Sequence, residues 1–176
     1  MFVRMLLWIV MLVGGGALGI YLDLQWFRPL FLNPIFHLIT LIPGLILLKL
    51  VMQVSRYTGR LLAQKGREGD IPRMDTNKLV TEGVYRCMRH PMHLGLLFFP
   101  WAVALILGSP TFILFIAPLE MVFMIVLIKL VEEREAIHKF GDAYREYQAQ
   151  TPMFSLRPSC LRMLLQEPLP KRDVKR

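Results

Sequence analysis

Charge is absent from long stretches of this 176-residue chain. Residues 5–22, 29–48 and 90–119 contain no Asp, Glu, Lys or Arg. With 55% hydrophobic residues and a mean hydropathy of +0.46, the chain is far more apolar than a soluble domain of this size needs to be. Zinc-finger, helix-turn-helix and RNA-binding signatures are also missing. The formal net charge of +8 is therefore assigned to anionic lipid headgroups rather than nucleic acid, because the basic residues flank the apolar runs and interleave with Glu68, Asp70, Asp75 and Glu82.

Residues 5–22 and 29–48 are each long enough to cross ~30 Å of hydrocarbon as a helix. The third run is too long for one crossing and is cut by GSPT, residues 108–111, whose Gly and Pro favour a tight turn between antiparallel helices. Its second arm continues through Ile128, interrupted only by Glu120. The fold class expected is all-α: a multi-pass membrane bundle of about four transmembrane helices followed by a C-terminal amphipathic helix. Arg4 ahead of an apolar core and the small residues GGGALG, 14–19, also fit a secretory signal, but the uncharged run is longer than a typical signal core and a retained anchor is expected.

The first connection holds Asp23 and Arg28, whereas Arg56, Arg60, Lys65, Arg67, Arg73, Lys78, Arg86 and Arg89 crowd the next. By the positive-inside rule that segment and both termini face the cytoplasm. Cys87 and Cys160 would then lie in a reducing compartment, and no disulfide is expected. Residues 1–176 read as one membrane domain: two spans to residue 54, a cytoplasmic loop over 55–89, a helical hairpin over 90–131, an amphipathic segment over 132–158 and a surface tail over 159–176. In the amphipathic segment Ala136, Ile137, Phe140, Ala143, Tyr144 and Tyr147 recur at helical spacing. Residues 159–166 are expected on the bilayer surface, and the final KRDVKR is read as a lipid-attracted tail.

One stretch, RCMRHPMHLG at residues 86–95, places Arg86, Arg89, His90 and His93 against an apolar run. Pro91 suits a first helical position, so a span starts beside His90 with its positive dipole end next to Arg89, an arrangement that attracts an anion. The following span ends in partial negative charge at Glu132 and Glu133, which attracts a cation. The helix from Pro91 to Gly108 is about 26 Å long and that from Thr111 to Val131 about 30 Å, so both arms finish at similar depth. The two poles would stand about 8–10 Å apart, room for a zwitterionic amino-acid group. His90 and His93, with Glu132, Glu133 or His138, also have the chemistry for zinc, but no familiar ligand spacing is present and no metal is expected. Glu120 is a costly carboxyl inside a span, with His37 as its expected partner.

LVTEGVYRCMRHPMHLG followed by EEREAIHKFGDAYREYQAQTPMF, over residues 79–158, resembles the isoprenylcysteine carboxyl methyltransferases and the related phospholipid methyltransferases. The resemblance implies a membrane-embedded enzyme using S-adenosylmethionine, whose amino-acid part would occupy the site between the poles. By motif position it implies that Leu79, Val80 and Tyr85 line the cofactor, with Asn77 and Lys78 just ahead. It puts His90, Pro91, Met92 and His93 around the amino-acid and sulfonium end, with Glu132 binding from the fourth span. Arg89 would hold the carboxylate or brace the loop. Lys129, beside Ile128, stands nearest the position that holds the acceptor in such families. His93 replaces a usual Tyr and Ala136 a common Leu.

The implied reaction is an in-line methyl displacement driven by positioning and exclusion of water, with Arg89, His93 and Glu132 as the residues expected to carry it. A carboxylate acceptor needs no base, whereas an amine would give its proton to His93 or His90. The acceptor is expected to be lipophilic: an isoprenylcysteine-like carboxylate first, a phospholipid amine next. A non-catalytic membrane scaffold and a sterol-reductase-like enzyme are the rival classes.

Overall fold

A computed structural model describes residues 2–72 and 75–165, with side chains from Leu6 onward. Arg73 and the expected surface tail from residue 166 lie outside the described residues. The described chain is helical, with no strand among those residues. Three helical stretches are long and apolar enough to cross a bilayer, Leu6–Trp26, Pro34–Lys65 and Phe112–Phe140, and Pro91–Leu107 is a shorter apolar stretch made of two helices. Large apolar side chains such as Val13, Leu38, Ile39 and Leu119 are exposed. On helices long and apolar enough to span, these side chains face lipid, and the protein is an integral membrane protein.

The chain divides into two compact units, residues 1–51 with 96–128 and residues 52–95 with 129–176. The first contains α1 (Phe2–Trp26), the short α2 (Arg28–Phe31), the start of α3 (Pro34–Lys65), α5 (Phe99–Leu107) and α6 (Ala117–Leu127). Its core is Ala104, Phe112 and Ala117, packed by Leu12, Trp101, Ile113 and Ile116. Small residues set the helix spacing: a methyl group on Gly44 would stand 2.9 Å from the Ile106 backbone nitrogen.

The expected turn at residues 108–111 is present, and its chemistry is explicit. Gly108 adopts the left-handed conformation at φ 60°, ψ 37° and closes α5. The next helix begins at Pro110, which has no N–H to leave unpaired. Ser109 Oγ accepts from the Phe112 amide at 3.2 Å, and Asp23 Oδ1 accepts from the Thr111 amide at 2.8 Å. Ser109 also donates to Asp23 Oδ2, and Asp23 is fully buried. Asp23→Ala strips the cap from two buried donors and is expected to cost about 1–3 kcal/mol. Thermal unfolding in detergent would show it as a lowered midpoint, with Asp23→Asn restoring part of the loss.

Several expectations change here. The third span is not one helix: α4 (Pro91–Leu96) is separated from α5 because Pro100 lacks an N–H and clashes with the preceding turn. The stretch from Ser55, expected to be loop, remains helical to Lys65, because Gly59 alone does not stop a helix and Val54, Thr58 and Leu61 bury a stripe at helical spacing. Glu120 lies against Gly15, where an added Cβ would come within 2.6 Å of its Oε1, and not against His37. His37 Nε2 pairs instead with the Phe31 carbonyl at 2.5 Å.

In the second unit the amphipathic segment breaks at Gly141, whose φ of 60° separates α7 (Glu133–Phe140) from α8 (Asp142–Gln150). Tyr144 and Tyr147 are buried as expected, but Ala143 is exposed because the break resets the helical phase. Cys87 and Cys160 form a disulfide, contrary to the expectation from compartment. The reason is tertiary: α9 (Pro158–Leu164) folds back on the 3₁₀ turn Gly83–Arg86 and brings the two Cα atoms to 5.8 Å.

Candidate active site

The segment carrying Arg89 and His90 is fixed by backbone pairing. The Arg89 amide donates to the Pro152 carbonyl at 3.0 Å and the His90 amide to Met153 at 3.2 Å. Beneath it the Tyr147 hydroxyl donates to the Tyr85 carbonyl at 2.5 Å, and Val84 and Met88 are fully buried. Burial pushes the Tyr85 and Tyr147 phenols up, so both stay protonated donors. Pro91 then starts α4, which turns His93 toward the end of the next span one helical turn later.

That span ends in a π-helical stretch, Ile128–Glu132, directly before α7. The wider turn adds a residue locally and changes which side chains leave the helix together. Glu132 and Glu133 both reach the α4 start. His93 Nε2 lies 3.0 Å from Glu132 Oε2, and His90 Nε2 lies 3.3 Å from Glu133 Oε1. The two imidazole rings meet edge to face at 5.5 Å, with Phe154 edge-on to His90 at 6.4 Å.

Arg89 points inward and each of its three nitrogens donates within the fold. Nε and Nη2 both reach Glu133 Oε1, at 2.8 and 2.5 Å. Nη1 donates to the carbonyls of Gln148, at 3.2 Å, and Thr151. Gln148 Nε2 satisfies the second Glu133 oxygen at 2.8 Å. Of the two roles expected for Arg89, the geometry carries the bracing one. It ties the segment before α4 to α7 and to the end of α8. Glu133, Gln148 and Tyr147 are partners that the sequence did not pair with Arg89 or Tyr85. The doubled Glu was visible, but nothing in the linear pattern says which carboxylate takes the guanidinium.

Among the other expected residues, Pro91 is buried and Met92 half-buried beside the histidines. Val80 and Tyr85 are buried and Leu79 is half-buried. Asn77 and Lys78 belong to a folded loop: their amides donate to the Gly66 carbonyl at 2.9 and 3.1 Å. The Asn77 side chain brackets the Glu68 backbone at 2.8 and 2.7 Å. An open cavity of about 300 Å³ is lined there by Gln64, Lys65, Arg67, Glu68, Lys78 and Glu82. Lys129 is exposed within the π-helical stretch. The structure thus brings Arg89, His90, His93 and Glu132 together, while Asn77 and Lys78 are held by the loop itself.

Burial is the main reason that the His90 imidazole is pushed down to about 4, with His93 adding to it and Glu132 and Glu133 opposing. At neutral pH His90 is uncharged and offers a lone pair. An unfolded His near 6.5 takes up a proton that the folded ring refuses until about pH 4. The folded state is therefore fully favoured above pH 6.5 and loses on the order of 2 kcal/mol as pH falls toward 4. Melting curves between pH 7.5 and 4.5 should slope accordingly, and His90→Asn should flatten that slope.

The chain is a helical membrane domain in which His90, His93, Glu132 and Glu133 meet at one junction. Residues 39–143 match the profile of the phospholipid methyltransferase family, and the chain belongs to that family. The match begins inside α3, ahead of residues 79–158, which carry the resemblance seen in the sequence. Methanethiol S-methyltransferase 1 of Bradyrhizobium diazoefficiens is 34% identical over 88 residues, covering 50% of this chain and 28% of that protein. The chain thus spans less than a third of that relative's length. No solved structure matches the chain.

Proposed function

We propose that this chain is an integral-membrane methyltransferase that moves a methyl group from S-adenosylmethionine to a lipophilic acceptor. The observation that carries the reading is the 3.0 Å contact between His93 and Glu132, because it joins the two family motifs at one point. When bound, the cofactor supplies an electrophilic methyl on a sulfonium. Glu132 offers its carboxylate to the ammonium and sulfonium charge, while His90, Pro91, Met92 and His93 enclose that end and exclude water. Leu79, Val80 and Tyr85 give the nucleoside an apolar lining, with Asn77 and Lys78 closing the loop ahead of them. Arg89 positions this wall through Glu133, and Lys129 stands at the acceptor side.

For the acceptor, a carboxylate of the isoprenylcysteine type comes first, since it is nucleophilic without a base and the site contains more acceptors than acids. A small thiol is the second reading, favoured by the similarity to the Bradyrhizobium methanethiol S-methyltransferase. A thiol or a phospholipid amine would give its proton to the imidazole of His93 or to that of His90. The basic stretch from Arg56 to Arg89 favours a cytoplasmic site and cytoplasmic termini.

Calorimetry in detergent tests the core of this. Micromolar binding of S-adenosylmethionine and of its demethylated product is expected; binding of a nicotinamide cofactor, or of neither, overturns the reading. A radiolabelled methyl donor offered with an isoprenylated cysteine, phosphatidylethanolamine or methanethiol then sorts the acceptors.

A further inference from the structure

The bond between Cys87 and Cys160 stands at odds with the charge around it. Cys87 lies inside the basic stretch from Arg56 to Arg89 that favours a cytoplasmic site. Thiols on that side are kept reduced, and a disulfide that forms there is usually one that exchanges. Its two sulfurs are unequally placed. Cys160, on α9, is 3% exposed, whereas Cys87 follows the 3₁₀ turn Gly83–Arg86, is half-buried and adjoins the exposed Arg86. The bond also reaches the wall of the active site. Cys87 just precedes the residues whose amides pair with Pro152 and Met153, and Cys160 lies in the helix that follows those two. The disulfide thus closes a ring around the backbone bonds that fix Arg89 and His90. Without it α9 keeps the burial of Leu164 and a bond from Gln53 Nε2 to the Leu165 carbonyl at 2.6 Å, so the ring can open while the helix stays docked at its far end.

We propose that Cys87 is a thiol-exchange site, at which a small anionic thiol of the glutathione class opens the Cys87–Cys160 bond and loosens the wall that carries Arg89 and His90. The exchange does not depend on the methyltransferase reading; its effect on the methyl donor rests on that reading. A thiolate RS⁻ attacks Cys87 Sγ, the S–S bond breaks, and its electron pair leaves on Cys160 as a thiolate. The product is the mixed disulfide Cys87–S–S–R. A second RS⁻ attacks the sulfur of R, which releases RSSR and the Cys87 thiolate, and water protonates both protein thiolates. The pair gains two electrons and two small thiols lose them; RSSR drives the same steps backwards. Attack falls on Cys87 because burial closes Cys160 to approach, and Arg86 attracts the carboxylates of the incoming thiol.

The test uses the full chain in detergent, equilibrated with glutathione over a series of reduced-to-oxidised ratios, quenched with acid, alkylated and weighed by mass spectrometry. Folded wild-type protein is expected to pass from no free thiol to two across the series. A bond that survives excess reduced glutathione, or never forms with the oxidised form, overturns the site, and that measurement depends on no variant. Cys160→Ser treated with oxidised glutathione should gain one glutathione, at Cys87, and Cys87→Ser should gain none. Labelling of Cys160 in Cys87→Ser overturns the choice of attacked sulfur. Calorimetry should then show S-adenosylmethionine binding about tenfold weaker to the reduced wild type than to the oxidised, with Cys87→Ser matching the reduced form in either buffer. Equal binding in both forms overturns the coupling to the active site and leaves the methyltransferase reading standing. Thiol exchange with no S-adenosylmethionine binding in either form supports the exchange site and overturns the methyltransferase reading.

Discussion

Arg89→Ala is expected to remove about 3–5 kcal/mol of stability, the largest loss from any single side chain at this junction. The cost is not the net worth of the ion pair. It arises because Glu133, at 7% side-chain exposure, keeps its charge in a buried position with Gln148 as its remaining hydrogen-bond partner on that side. The carbonyls of Gln148 and Thr151 lose their donor at the same time. His90, 3.3 Å from Glu133, becomes the nearest group able to answer the carboxylate. In the variant its proton affinity should therefore rise, and the acid-side loss of stability should shrink or reverse. Arg89→Lys retains one charge but cannot fork to Glu133 and reach both carbonyls, so an intermediate loss is expected. Adding Glu133→Gln to Arg89→Ala removes the stranded charge and should recover part of the deficit. Denaturation in detergent measures all of these. Arg89→Ala melting with the wild type would show that the pair is not a brace.

The legible part of this molecule was its one-dimensional physics. Uncharged runs declare helices that bury against lipid, and Gly108 with Pro110 declares the reversal between two of them. Pro91 declares the start of α4, and the HPMH and Glu-Glu motifs meet where opposite helix ends were expected to meet. What could not be read depends on partners far away in the chain. Arg89 has two carboxylates within plausible reach, and only the packed structure gives it Glu133 and leaves Glu132 to His93. Cys87 and Cys160 are joined because α9 returns, a fact that no compartment argument contains. Pro100 and Gly141 were visible as residues, yet their effect was masked by apolar periodicity running through both. The end of α3 was misread for the opposite reason, since charge density suggested loop where helix propensity was never interrupted.

Glu132→Ala is expected to weaken S-adenosylmethionine binding by several hundredfold, about 3–4 kcal/mol, while leaving the fold close to wild type. Two features separate it from its neighbour. Glu133 is braced by Arg89 and Gln148, so its loss is felt as instability. Glu132 faces His93 at 3.0 Å at the more open side of the junction, so its loss is felt by whatever carries positive charge into the site. Glu132→Gln keeps the shape and a hydrogen-bond acceptor but not the charge, and should fall between the two. The same assignment predicts that Glu133→Ala lowers the melting point far more than Glu132→Ala does. Calorimetry with the methyl donor and melting curves on the same two preparations decide the matter. If Glu132→Ala binds the donor as well as wild type does, the carboxylate beside His93 is not its anchor, and the junction serves packing alone.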